Sequence, residues 1–241
     1  MRLTRRHFAA LLLLAVCQIG AVTLPARAED AKPFITAHEL DLTKFLAPPP
    51  ANDSAQTKAE LAEVLTLQVT RTPEMVARAQ ADAEENVWRF ADVMGPKFTK
   101  DVLPKTEAFF ARIAETEGAV VDPAKDVWKR PRPHLYSDLV KPVVPLSKSG
   151  AYPSGHATVG TLMAIVLSNM VPEKRAELMA RGWEYANNRV VGGIHFRSDI
   201  EAGRIAGSLI AEAIWSQPDF TAEYAAAKAE LRAALAMPQT N

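Results

Sequence analysis

Pro153-Ser154-Gly155-His156 leads directly into Ala157-Thr158-Val159-Gly160-Thr161-Leu162-Met163-Ala164-Ile165-Val166-Leu167-Ser168-Asn169, and this stretch decides the fold class. The apolar part reads as a core helix over about 157–169. Ser168 and Asn169 interrupt the run from Thr161 to Val171, which is too short to span a bilayer. Helical patterning continues on both sides. Downstream, helices are predicted at about Pro172–Asn188, Asp199–Ser216 and Thr221–Leu235, the second opened by a capping box of Ser198 and Glu201.

Upstream, Thr72-Pro73-Glu74 supplies an N-cap, a proline at the first helical position and a first-turn acid. The helix it opens is predicted to continue towards Met94, where Gly95-Pro96 ends it. A further helix is expected from Lys105 to Glu117. Residues 123–153 carry Pro123, Pro131, Pro133, Pro142, Pro145 and Pro153 and are read as loop with short helical turns. Alternating strand pattern is nearly absent. The expectation is one all-α domain of packed helices over 57–241.

The N-terminal region has a different character. Arg2, Arg5 and Arg6 precede an apolar run from Phe8 to about Leu24, and Ala26-Arg27-Ala28 is a small-x-small cleavage pattern. Residues 1–28 are therefore expected to be a signal peptide, which places the mature protein in the periplasm. Thr4-Arg5-Arg6-His7-Phe8 fits a twin-arginine signal as well as a Sec signal. Residues 29–56, with Pro48-Pro49-Pro50, are read as an extended arm laid over the domain.

Composition excludes several classes of protein. Cys17 is the single cysteine and lies in the leader, so disulfides, thiolate metal sites and cysteine nucleophiles are ruled out for the mature chain. Basic and acidic residues number 28 each; without residues 1–28 there are 24 against 28, a formal charge of −4. That balance does not favour nucleic acid as a partner. No histidine-rich or carboxylate-rich cage is evident, and neither a metal nor a cofactor is expected.

Three segments carry polar residues that packing alone does not explain. They are Lys125 to Arg132-Pro133, Pro153-Ser154-Gly155-His156, and Arg189 to His195 and Asp199. Two arginines and a lysine converging on one spot neutralise a phosphate, because the planar guanidinium donates to two oxygens at once. Ser154-Gly155 at a loop-to-helix junction presents free N–H groups to an anion. His195 stands four residues before Asp199, so on a helix both would share a face. The carboxylate would then set the tautomer of the ring. His156 is suited to protonating a leaving alcohol.

Lys-x6-Arg-Pro, Pro-Ser-Gly-His and Arg-x5-His-x3-Asp, in this order, resemble the signature of the type 2 phosphatidic acid phosphatase superfamily. Within it the chain is most similar to bacterial class A non-specific acid phosphatases. Ala124-Lys125-Asp126, the run from Leu146 to Tyr152, the prolines at 48–50 and Ala227-Lys228-Ala229-Glu230 share that likeness. The resemblance implies a metal-independent acid phosphatase acting on phosphate monoesters through a phosphohistidine. It makes His195 the nucleophile, His156 the general acid and Asp199 the partner of His195. Lys125, Arg132, Ser154, Gly155 and Arg189 would bind the phosphate. It also implies small-molecule substrates, no stable membrane association and, as in many members, a homodimer.

Vanadate-dependent haloperoxidases share the motifs and form the alternative reading, since vanadate mimics the phosphoryl transition state. Asn188 stands where the family usually has serine, and altered fine positioning is expected there. His134 and Trp128 are candidates for the mouth of the site. Trp88, Trp183 and Trp215 are expected in the core.

Overall fold

The computed structural model describes residues 31–239, and the leader expected over 1–28 lies outside them. Nine α-helices run through the described residues: α1 (Ala55–Thr70), α2 (Pro73–Ala81), α3 (Ala91–Met94), α4 (Pro104–Trp128), α5 (Pro133–Tyr136), α6 (Gly155–Met170), α7 (Arg175–Val191), α8 (Arg197–Ile214) and α9 (Pro218–Ala234). No strand occurs among the described residues. The protein is all-α, as the sequence pattern predicts.

Helix α6 is the axle. Leu162, Val166, Leu167 and Met170 are fully buried, and its most extensive packing is against α7 and α8. Each such side chain contributes roughly 1.5–3 kcal/mol by leaving water. Small residues let the neighbours close in. A Cβ on Gly203 of α8 would lie 2.5 Å from the Ser154 carbonyl oxygen, and one on Gly207 would lie 2.6 Å from that of Thr158. Helix α8 therefore rides directly on the backbone that begins α6, and this contact holds the Ser154-Gly155 turn in place.

Two helices differ from expectation, and both differences shape the site. The helix opened by Thr72 stops at Ala81 and resumes only as a 3-10 turn at Val87–Phe90 followed by α3. The cause is tertiary. The Asp82 carboxylate is buried and accepts from Arg89 at 3.0 Å, Arg181 at 2.5 Å and Asn188 at 2.7 Å, which pulls the chain out of register. Conversely, α4 runs past Glu117, through Pro123, to Trp128. A proline there leaves the carbonyl four residues earlier without a donor. Ala119 is that residue, and its oxygen accepts the N–H of Ala37 at 3.1 Å. Residues 31–54, which contain no α-helix, thus repair the helix they cross while burying Phe34, Ile35 and Leu42.

The capping box expected from Ser198 and Glu201 is also absent. Helix α8 begins two residues earlier, where the Asp199 carboxylate accepts the Phe196 N–H at 2.8 Å. Ser198 instead donates to Glu60 at 2.8 Å.

Gly203→Ala should cost about 1–3 kcal/mol through overpacking against the Ser154 carbonyl. At roughly 2–4 °C per kcal/mol for a chain of this size, a thermal melt resolves it easily. An unchanged Tm would mean that the α6–α8 contact is looser than described.

Candidate active site

Five chain segments meet at one cavity of about 470 Å³. Lys125 comes from the last turns of α4, Arg132 from the segment before α5, and Gly155 and His156 from the first turn of α6. Arg189 comes from the end of α7, and His195 from the loop before α8; all six line the cavity. Ser154 and Asp199 are fully buried behind them. Ser154 Oγ caps α6 by accepting the Ala157 N–H at 3.3 Å, and its own N–H donates to the Asp199 carbonyl at 3.0 Å.

The tautomer of His195 follows from its neighbours. Arg132 Nη1 lies 3.0 Å from His195 Nε2. A guanidinium only donates, so Nε2 is the bare nitrogen and the proton sits on Nδ1. That proton faces Asp199 Oδ2 at 3.3 Å. The His195 ring precedes α8 rather than lying on it, so the four-residue spacing works through a loop and a helix start. Burial, then the charges of Arg132, Arg189, His156 and Lys125, hold the ring well below the ordinary histidine range. Burial and these charges therefore favour the neutral ring.

Behind Asp199 stands Arg130, only 3% exposed. Its Nη1 donates to Asp199 Oδ1 at 2.5 Å and to Ser198 Oγ at 2.6 Å, and its Nη2 donates to Glu60 Oε2 at 3.1 Å. Two carboxyl groups share one guanidinium, and with both ionised the cluster carries an excess negative charge while His195 is neutral. Burial pushes the Asp199 carboxyl up to about 7, against the pull of Arg130 and the Phe196 N–H. Positive charge developing on the His195 ring cancels that excess.

Arg189 and Lys125, two of the cations facing the cavity, have few partners of their own. Arg189 is 3% exposed, and its Nε and Nη1 find no acceptor among the described residues. Lys125 Nζ reaches Asp122 at 2.9 Å. Arg132 is held by the carbonyls of Ser149 at 3.0 Å and Gly150 at 3.3 Å. Burial, then the nearby charge of Arg189, lowers Arg132 to about 10, so it stays charged in acid and at neutrality. Buried cations without counter-ions are costly. A cavity built this way is an anion site.

His156 is held from both sides. Nε2 lies 3.0 Å from the Ala83 carbonyl and Nδ1 lies 2.6 Å from Glu85 Oε1. Both acceptors come from the break between α2 and the 3-10 turn, so the interruption of that helix is part of the site. Burial works to raise the Glu85 carboxyl, but His156, Lys125 and Arg189 hold it below its ordinary value.

Asn188 faces away from the cavity and ties α7 to Asp82. His134 and Trp128 do not line the cavity; Trp128 packs edge-on to Tyr152 at 5.0 Å. Trp88 and Trp215 pack against the core, whereas Trp183 lies under the Arg204 guanidinium. Sequence reasoning missed Glu60, Glu85, Glu117 and Arg130. Arg130 lies inside the first motif and was open to suspicion. Glu117 joins Lys125 on one face only once α4 is continued through Pro123.

A family model described as the PAP2 superfamily matches residues 109–222. The chain is 32% identical over 214 residues to the non-specific acid phosphatase of Salmonella typhimurium, covering 85% of this chain and 86% of that one. This chain belongs to the PAP2 superfamily. It is also 29% identical over 223 residues to an acid phosphatase of Zymomonas mobilis, covering 88% of this chain and 84% of that one. This kinship makes the PAP2 protein a phosphatase. A bacterial vanadium-dependent chloroperoxidase shares the fold with a TM-score of 0.58 at 11% identity. That match covers 80% of this chain and 52% of the chloroperoxidase, so the PAP2 protein spans about half its length.

The two buried arginines of the site should respond in opposite ways to substitution. Arg130→Met strands Asp199 and Glu60 and should cost about 3–5 kcal/mol in chemical denaturation. Arg189→Met removes a buried charge with few partners, so Tm should hold or rise while activity is lost. A large loss of stability in Arg189→Met would contradict the anion-site reading.

Proposed function

We propose that this PAP2 protein is an exported acid phosphatase that hydrolyses many phosphate monoesters through a phosphohistidine at His195, without a metal ion. The observation that carries the reading is the bare Nε2 of His195 beside Arg132 on the wall of a cation-lined cavity. The names of the sequence relatives support the acid-phosphatase reading.

Lys125, Arg132 and Arg189 hold the phosphoryl oxygens, with the Ser154 hydroxyl and the N–H groups at the start of α6. These groups meet the charge on the equatorial oxygens of the transition state. His195 Nε2 attacks phosphorus, the P–N bond forms and the ester P–O bond breaks. The ring becomes cationic, and Asp199 stabilises it through the Nδ1 proton. His156 protonates the departing alkoxide. Its Nε2 is committed to the Ala83 carbonyl, so Nδ1 serves the leaving oxygen, with Glu85 giving way. In the second half His156 takes a proton from water, the water oxygen attacks phosphorus, the P–N bond breaks and phosphate departs.

Burial and neighbouring cations keep His195 unprotonated in acid, where free histidine would be mostly charged. His156 meanwhile faces two acceptors, the Ala83 carbonyl and the Glu85 carboxylate, which hold a proton on each ring nitrogen. This division accounts for an acid optimum in an enzyme with a histidine nucleophile. A cavity of about 470 Å³ has room for a small phosphate ester, which fits small-molecule substrates.

Acid-quenched enzyme given p-nitrophenyl phosphate should contain phosphohistidine, and EDTA should not change the rate. His195→Ala should lose at least about a thousandfold in kcat while still binding phosphate. Absence of the phosphoenzyme from both wild type and His156→Ala would defeat the covalent route. Halide peroxidation after vanadate loading, with no ester hydrolysis, would favour the haloperoxidase alternative.

Export is the other half of the reading. N-terminal sequencing of protein recovered from the periplasm should begin at Glu29; an intact Met1 there would contradict cleavage.

A further inference from the structure

Glu117 is out of place in an anion site. It lies on α4, is 6% exposed, lines the cavity, and its Oε1 has no hydrogen-bond partner among the described residues. A Cβ on Gly155 would lie 2.8 Å from that oxygen and 3.1 Å from Lys125 Nζ, so the two side chains close together over the turn that begins α6. Lys125 does not neutralise it. Its ammonium bonds Asp122 at 2.9 Å, and no ion pair joins it to Glu117. A carboxylate buried in this way without a partner would cost several kcal/mol and would repel the ligand that the surrounding cations attract. A neutral carboxylic acid avoids both penalties and carries an O–H donor.

We propose that Glu117 binds the substrate as a protonated acid, donating its O–H to a phosphoryl oxygen beside Lys125 and Gly155, and releases phosphate when it ionises. This rests on the phosphate-site reading of the cavity. Lys125 and Asp122 face Glu117 from its own helix, Glu85 from the turn after α2, His156 from α6 and Arg189 from α7. Glu115, also on α4, with Arg132 and His195 completes the charged groups around the cavity. Burial, with the carboxylates of Glu85 and Asp122, pushes the Glu117 carboxyl up to about 8, while Lys125 pulls it down. Protonation of Glu117 therefore persists through the acid range and is lost as the pH rises through about 8. In acid the site holds its cations plus a neutral donor; in base it holds a carboxylate against a phosphate dianion. Acid dependence is then built into phosphate binding itself.

Inorganic phosphate is the probe, followed by calorimetry and by competitive inhibition of the intact enzyme from pH 5 to 9. The amide of Glu117→Gln keeps a donor and cannot ionise. Its affinity should match wild type within about twofold at pH 5 and exceed it by about tenfold at pH 9, one unit above the carboxyl's value. Titrations other than that of Glu117 are common to both proteins and drop out of the ratio. Glu117→Leu removes the donor and should bind phosphate about tenfold more weakly at pH 5 with no loss of Tm.

A ratio that stays flat across the pH range, or full phosphate affinity in Glu117→Leu, would overturn the proposal. Should Glu117→Gln fold poorly, infrared spectra of wild type carry the test. A protonated-carboxyl band at pH 6 that shifts on adding phosphate supports the proposal, and its absence refutes it. Arg132→Ala serves as the control and should lose phosphate at every pH. Unchanged binding in that variant would overturn the phosphate site itself, and this inference with it.

Discussion

The guanidinium of Arg130, buried between Glu60 and Asp199, is the interaction on which the site depends. It joins α1, the segment after α4 and the start of α8 in one network, and it stacks on the Phe196 ring at 4.5 Å. Asp199 is aimed by that guanidinium and by the Phe196 N–H. Asp199 in turn holds the Nδ1 proton of His195, and Arg132 faces the nitrogen left bare. Orientation of the ring is thus set from behind the cavity wall, and its tautomer by Arg132 on the wall itself. A buried ion pair is a weak source of stability, and here its contribution is geometric.

The charges on the cavity side follow the opposite rule. Arg189 is buried with two unpartnered nitrogens, and Lys125 has one partner, on the solvent-exposed side chain of Asp122. Such charges are tolerated because the scaffold is over-determined. Helix α6 is buried along nearly its whole length, and α7 and α8 cross it at backbone distance through glycines. Core burial supplies the free energy, and the cavity spends part of it on electrostatic preorganisation for an anion. The glycines of α8 have a second effect, because the backbone they contact is the turn that carries Ser154 and Gly155.

Six residues that the sequence motifs single out line the cavity, and Ser154 and Asp199 lie directly behind them. Their types and spacing were enough to single them out, because polar residues in these positions serve no packing purpose and the helix start is written into Ser154-Gly155. What the motifs could not supply was the second ring of residues. Glu85 reaches His156 only because Asp82, held by three cationic or amide partners, breaks a helix that local propensity would continue. Glu117 comes to the cavity on a helix that Pro123 would be expected to end. That helix survives because Ala37, some eighty residues earlier, donates to the stranded carbonyl of Ala119.

The chain alone therefore determined the helical class, the placement of most helices within a few residues, and most of the motif residues that meet at the cavity. Those features depend on local periodicity, caps and the chemistry of individual side chains. Only the tertiary structure decided which helices break or continue, which ring nitrogen of His195 is bare, and which carboxyls share the cavity with the cations. Each of those depends on hydrogen bonds and burial between residues far apart in sequence, and local pattern carries no information about them.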